Sequence, residues 1–176
     1  MLEGNKTLAV IGCGTMGEAI VRGILRSGKL PPAQIIATDK RPEQLTALRD
    51  RYGVRATSDN LEAARAAHVA LVATKPQQMA EVLDEPAMRA ALEGKLVISI
   101  AAGVRLDQLQ GWLPASAVIR AMPNTPALIG EGMTILARGR GVTDAQVAIA
   151  LEMFRACGKC TELDEKNMDV CTALNG

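Results

Sequence analysis

The chain has 176 residues, 48% of them hydrophobic, which is enough to bury the core of one domain and part of a second. Only 2% are aromatic, so that core must be aliphatic, and twenty basic against nineteen acidic residues leave a formal charge of +1. This balance excludes a basic nucleic-acid surface and an aromatic stacking platform for bases, and it favours a small neutral or zwitterionic ligand or a locally bound cofactor. With no apolar run of membrane-spanning length and no leader-like start, a soluble, cytoplasmic protein is expected.

An apolar strand from Thr7 to Ile11 runs straight into Gly12-Cys13-Gly14-Thr15-Met16-Gly17. This G-x-G-x-x-G turn precedes a helix whose positions Met16, Ala19, Ile20, Gly23 and Ile24 recur at helical spacing. The first two glycines permit a sharp turn and close approach to a pyrophosphate. The third lets the helix pack tightly on its strand, and the free amides at the helix start face the negative charge. A dinucleotide is therefore expected here. Ser27-Gly28 stops the helix, Leu30-Pro31-Pro32 is a loop, and Gln34 to Thr38 forms a second strand ending at Asp39. Asp39 stands where a dinucleotide fold places the acidic residue that meets a ribose 2′-hydroxyl. Lys40 and Arg41 follow at once and suit a 2′-phosphate, and a strand-end aspartate can also cap the helix starting near Pro42. The residues point both ways.

A helix from Pro42 to Tyr52, inward through Leu45 and Leu48, is closed by Gly53, and Val54 to Ala56 is a brief strand. Ser58-Asp59-Asn60 caps a short helix over Leu61 to Ala67. His68 to Ala73 has the composition of a strand covered on both faces, with the single histidine structural at its start. Thr74-Lys75-Pro76-Gln77 opens a helix with Met79, Val82 and Leu83 inward, Pro76 fitting its first turn. Lys95 to Ile100 is the next buried strand, followed by the small-residue turn Ala101-Ala102-Gly103 and a helical period through Leu106, Leu109 and Leu113. Strands follow at Ala117 to Met122 and Glu131 to Arg138. Thr143-x-x-Gln146 is a capping box for a helix with Val147, Ala150, Leu151 and Phe154 inward, and Lys159 to Leu163 is a last strand.

Cys157-Gly158-Lys159-Cys160 has the form of half a zinc site or a redox pair. No second ligand pair accompanies it and it closes a helix, so ordinary reduced thiols are expected. Asp164 caps a helix carrying Met168, Cys171 and Leu174, whose apolar face has nothing later in the chain to pack on.

Alternating strands and helices imply a Rossmann-type, doubly wound α/β fold over residues 1–163, a mostly parallel sheet with helices on both faces, with 164–176 starting a C-terminal helix. Ligands of such sheets lie beyond the carboxyl ends of the strands. The glycine turn, Ala73 to Gln77, Ser99 to Gly103 and Met122-Pro123-Asn124-Thr125-Pro126 all land there. The proline-bracketed loop suits a carboxylate or a nicotinamide pocket, or it is a rigid turn with Asn124 capping a short helix. Ser99 and Thr74 are placed to bond a ribose or their own backbone. No nucleophile elbow and no metal-ligand spacing is present; hydride transfer demands mainly binding and orientation, because the cofactor carries the chemistry.

Val10 to Gly17, Ala73 to Gln77, Ser99 to Val104, Arg120 to Ala127, Glu131 to Thr134 and Glu165 to Asp169, in this order and spacing, resemble the amino-terminal part of the pyrroline-5-carboxylate reductases over essentially the whole chain. The resemblance implies NAD(P)H-dependent reduction of 1-pyrroline-5-carboxylate to L-proline. It implies cofactor contacts from Ile11, Gly12, Cys13, Gly14, Thr15 and Met16, from Thr38, Asp39, Lys40 and Arg41, and from Asn60. Ala73, Thr74, Lys75, Pro76, Ala101, Ala102, Gly103 and Asn124 complete that set, and Met122, Pro123, Asn124 and Thr125 form the substrate loop. NADP(H) is the cofactor implied, with NAD(H) admitted by Asp39, which stands where members often carry a small polar residue. No catalytic acid or base and no metal is assigned. The resemblance further implies a homodimer or higher homo-oligomer, built on a helical domain that 164–176 would begin, and a chain that binds cofactor but turns over poorly alone. A β-hydroxyacid-dehydrogenase-type reductase, against which the Met-Pro-Asn-Thr-Pro loop argues, and a non-catalytic dinucleotide-binding module are the alternatives.

Overall fold

Short runs of consecutive apolar residues leave no face for water, and here they become strands covered on both sides. The computed structural model describes residue 2 and residues 4–168. Its strands are Leu8–Ile11 (β1), Ile35–Thr38 (β2), Arg55–Thr57 (β3), Val69–Val72 (β4), Leu96–Ser99 (β5), Ala117–Pro123 (β6), Gly132–Arg138 (β7) and Gly158–Glu162 (β8). Every residue of β1, β2, β4 and β5 is buried. They form one sheet in the order β3-β2-β1-β4-β5-β6-β7-β8, parallel throughout except between β6 and β7. Strand order reverses between β1 and β4, the place where a doubly wound sheet opens a crevice.

The helices are Thr15–Arg26 (α1), Pro42–Tyr52 (α2), Asn60–Ala66 (α3), Met79–Leu83 (α4), Pro86–Leu92 (α5), Leu106–Trp112 (α6) and Asp144–Arg155 (α7). One face of the sheet is covered through Ile20 and Ile24 of α1, Leu48 of α2 and Val147 and Phe154 of α7. The other is covered through Ala63 of α3, Met79 and Leu83 of α4, Leu92 of α5 and Leu106 and Leu109 of α6. The boundaries follow from local chemistry. Pro42 opens α2 and Gly53, at φ 66°, closes it in the left-handed region. The Asp59 carboxylate accepts the amides of Leu61 and Glu62 to start α3. Thr143 and Gln146 exchange hydrogen bonds at the head of α7. At Gly23 an added Cβ would stand 2.5 Å from Cys157 Sγ, so α1 lies directly against the turn that follows α7.

Several expectations are corrected. The helix expected after Pro76 is a 3-10 turn, Pro76–Gln78, followed by α4, and α5 was not anticipated, although Pro86 at its start and buried Met88 and Leu92 are its signals. Asp164 precedes a 3-10 turn, Glu165–Asn167, without a side-chain cap bond. Met168 is fully buried against the face carrying α6, an earlier part of the chain. Cys171, Leu174 and the rest of the expected helix lie outside the described residues. Cys157 and Cys160 are free and buried, as is Cys13. Burial pushes the three thiols up, to about 11 for Cys157 and about 12 for Cys160 and Cys13, the last also raised by the charges of Glu18 and Asp39. His68 is held at its strand start, Nδ1 accepting the Thr7 amide at 3.1 Å. Among the described residues no helix is long and apolar enough to cross a membrane.

Candidate functional site

The strand register aligns Ile11 with Val72, Val72 with Ser99, and Ser99 with Arg120. The last residues of β1, β4 and β5 are therefore level with Arg120, and β6 runs three residues further, to Pro123. At the reversal of strand order lies a cleft of about 470 Å³, lined by Gly12, Gly14, Thr15, Thr38, Asp39, Lys40, Arg41, Asn60, Ala73, Thr74, Lys75, Gln78 and Val82. Of the sequence-derived cofactor residues, the loops after β1, β2 and β4 thus converge, joined by Asn60 at the start of α3.

The three glycines have separate physical roles. Gly12 sits at φ 84°, and a Cβ there would come within 2.7 Å of Thr74 Cγ2 and 3.0 Å of Thr74 N. A Cβ on Gly17 would lie 2.9 Å from the Gly12 carbonyl oxygen. Gly14 has nothing within 4 Å of its Cβ position, and it faces the cleft. Gly14 is also the residue before α1, which starts without any side-chain cap. The first amides of that helix are thus left to an acceptor from outside, and the one glycine that needs no space for the protein leaves space for a ligand. An anionic group such as a pyrophosphate fits both observations.

Thr38, fully buried at the end of β2, holds this turn in place. Its Oγ1 accepts the Gly12 amide at 3.1 Å and donates to Asn60 Oδ1 at 2.5 Å, while its carbonyl accepts the Cys13 amide at 2.5 Å. Ile11 and Cys13 are completely buried, with the Ile11 carbonyl and both the amide and the carbonyl of Cys13 bonded within the protein, and Met16 is packed on the core, so these three sequence-derived contacts lie behind the cleft wall. Sequence reasoning missed Gln44, whose Nε2 donates to the Cys13 carbonyl at 3.0 Å and to Glu18 Oε2 at 2.8 Å. Nothing in the local pattern of α2 marks it. Gln78 and Val82, which complete the cleft wall, were missed as well.

Asp39 and Arg41 form a fork. Arg41 Nε and Nη2 reach the two carboxylate oxygens at 3.0 and 3.1 Å, and the Arg41 amide donates at 2.9 Å. Burial opposes the charge on Asp39, but the Arg41 hydrogen bonds outweigh it and hold the carboxyl below its ordinary range. Asp39 does not cap α2; Arg41 occupies the residue before that helix, with no side-chain cap.

The other predicted residues lie along the same sheet edge but outside the cleft wall. Pro76 is exposed at the head of its 3-10 turn; Ala101 is buried, and Ala102 and Gly103 are exposed beyond β5. Ser99 Oγ accepts the Ala101 amide at 3.3 Å, and Thr74 Oγ1 donates to Met79 Sδ at 3.1 Å, so both hydroxyls bond within the protein. Met122, Pro123 and Asn124 are half-buried and Thr125 is exposed. Asn124 does not cap the 3-10 turn Thr125–Ile129 through its side chain; instead its Oδ1 accepts the Met133 amide at 2.8 Å, closing the connection from β6 to β7. Arg22 of α1 donates to the Leu128 carbonyl from the other side. Among the described residues no three His, Cys, Asp or Glu side chains are grouped as metal ligands.

Comparison with known proteins gives the same outline. A curated pyrroline-5-carboxylate reductase of Synechocystis is 40% identical over 169 residues, which is 96% of this chain and 62% of the relative. That of Escherichia coli is 38% identical over 174 residues, 98% of this chain and 64% of the relative. The chain therefore spans somewhat under two thirds of the length of the curated relatives it matches. Among solved structures, a pyrroline-5-carboxylate reductase from Coxiella burnetii superposes with a TM-score of 0.93 at 33% identity, over 98% of this chain and 64% of that one. A Plasmodium falciparum pyrroline carboxylate reductase with NADP bound gives 0.87 at 29% identity, over 98% and 63%. Residues 7–103, more than half of the chain, match the family described as NADP oxidoreductase coenzyme F420-dependent. The chain belongs to that family, and over nearly its whole length it is similar to pyrroline-5-carboxylate reductases.

Proposed function

We propose that the protein carrying this chain is a pyrroline-5-carboxylate reductase that uses NADP(H) in preference to NAD(H), and that these residues hold the cofactor. The observation that carries the reading is the open space at Gly14, set between the uncapped start of α1 and the cations Lys40 and Arg41. The first amides of α1 take the pyrophosphate. Lys40 and Arg41 meet the 2′-phosphate, Arg41 dividing its fork between that group and Asp39. Asn60, oriented by Thr38, serves the adenosine side of the cleft. The Ala73–Pro76 and Ala101–Gly103 turns flank the nicotinamide half, and Met122, Pro123, Asn124 and Thr125 border the substrate.

When bound, the cofactor supplies the hydride that reduces the ring C=N bond of 1-pyrroline-5-carboxylate, a proton going to nitrogen, to give L-proline. The protein's share is orientation and the exclusion of water along a wall of small residues. By the same resemblance, the residues from 164 onward begin a helical dimerisation unit, and the protein acts as a homodimer or higher homo-oligomer. The test is to titrate the full protein that carries this chain, and not these 176 residues alone, with NADPH and then add 1-pyrroline-5-carboxylate. Consumption of NADPH with formation of L-proline is the expected result; tight NADPH binding with no substrate-dependent oxidation overturns the reading.

A further inference from the structure

Two of the segments that carry the resemblance, those beginning at Arg120 and Glu165, contribute nothing to the cleft wall. A buried charge joins them. Arg120, on β6, is 2% exposed, and its Nη1 lies 2.9 Å from Glu165 Oε1. The same oxygen accepts the amide of Leu106, the first residue of α6, at 2.7 Å. One carboxylate oxygen thus ties together β6, the head of α6 and the 3-10 turn Glu165–Asn167.

Such an arrangement is poorly explained by stability. Removing a guanidinium from water is costly even when it is paired, and a well-packed apolar side chain of similar size commonly serves a core as well or better. Position is the better explanation. Arg120 is the register partner of Ser99, the residue from which the turn through Ala101 and Gly103 departs. Leu106, bonded to Glu165, is where that turn enters α6. Beyond Arg120, β6 leads within three residues to Pro123 and then Asn124. One end of the turn is set by the register of Ser99 with Arg120 and the other by the bond from Leu106 to Glu165, and the Arg120–Glu165 contact joins the two at the base of the facing loop.

We propose that Arg120 and Glu165 are positioning residues, whose ion pair, together with the Leu106 amide, fixes the 100–105 turn against the Met122–Thr125 loop and so shapes the nicotinamide end of the site. The inference rests on the dinucleotide reading above. It concerns one end of the ligand only, because β6 lies three strand spacings, about 14 Å, from β1 and its glycine turn, and the Asp39–Arg41 fork is on the far side of β1.

The experiment compares NADPH with 2′-phospho-ADP-ribose, which has the same adenosine and pyrophosphate groups but no nicotinamide. Arg120→Met, similar in length and uncharged, is expected to weaken NADPH binding about tenfold, the scale of one charge-assisted hydrogen bond, and to leave 2′-phospho-ADP-ribose binding unchanged. Glu165→Gln, which keeps an acceptor for the Leu106 amide at a partly exposed position, is expected to show a smaller loss with the same selectivity. It also carries the test if Arg120→Met does not fold. Equal loss of both ligands, or no change in either, overturns the inference. If the unaltered chain binds the two equally, it does not hold the nicotinamide and the inference fails alone. If it binds neither, the dinucleotide reading falls and takes this inference with it.

Discussion

Asp39 gives both carboxylate oxygens to Arg41, and this pairing decides what the cleft offers a ribose. A 2′-hydroxyl would find an acceptor in Asp39, whereas a 2′-phosphate would meet a carboxylate whose charge must be offset by Lys40 and Arg41. Asp39→Asn should therefore tighten NADPH binding and weaken NADH binding, shifting their ratio by about tenfold or more, as read from paired titrations. The same pair sets a pH dependence. Because the folded pKa of Asp39 is depressed, its stabilising contribution is present above the ordinary carboxylate value, about 4, and is lost as pH falls through the lower folded value. Acid unfolding followed by circular dichroism should accordingly be less steep in Asp39→Asn below about pH 4. The glycines separate binding from folding. Gly14→Ala should cost less than about 1 kcal/mol in urea unfolding, the scale of an altered residue before a helix, and yet weaken dinucleotide binding at least tenfold. Gly12→Ala, strained at φ 84° and crowded by Thr74, should lose both stability and binding.

At the scale of elements, legibility followed the chemistry of the ends. Pro42 and Gly53 bound α2, and Thr143 with Gln146 start α7, because proline, left-handed glycine and a capping box each act within a few residues. The helix α5 escaped notice because its seven residues, about two turns, present too few apolar positions to establish a period. Residues 124–131 leave too short a connection for a parallel crossover, so the antiparallel pairing of β6 with β7 was derivable from length alone, and strand alternation concealed it. Contacts between elements were not legible. Gly23 fits a helical pattern in sequence, but in the structure it is where α1 meets Cys157 and the Ala156 carbonyl. Gly23→Ala should raise the helix propensity of α1 and nevertheless destabilise the protein by about 1–3 kcal/mol, measured by urea unfolding, because the added methyl meets backbone that has little room to move.

For the molecule as a whole, the alternation of strands and helices and the glycine turn pointed to a cleft at the carboxyl ends of the strands, since strand ends and loop chemistry are properties of local sequence. The long-range side-chain contacts were not legible. Gln44 and the Arg120–Glu165 pair are brought into place by helix packing and strand register across tens of residues, and no short pattern encodes that choice. The same burial makes the thiols inert. With values of about 11 to 12, Cys13, Cys157 and Cys160 leave fewer than roughly one thiol in a thousand ionised at pH 8. Iodoacetamide should spare all three in the folded protein and modify them in urea, as mapped by peptide mass; rapid labelling of Cys157 or Cys160 without denaturant would contradict the structure.

The β6–β7 connection carries one more consequence. Asn124 closes it from within through the Met133 amide, and Arg22 holds the Leu128 carbonyl from outside. A ligand arriving there would meet a loop already held by these two bonds, so little conformational entropy would be lost on binding, and the encounter rate would be set by diffusion and orientation and not by the wait for a segment to fold over its guest.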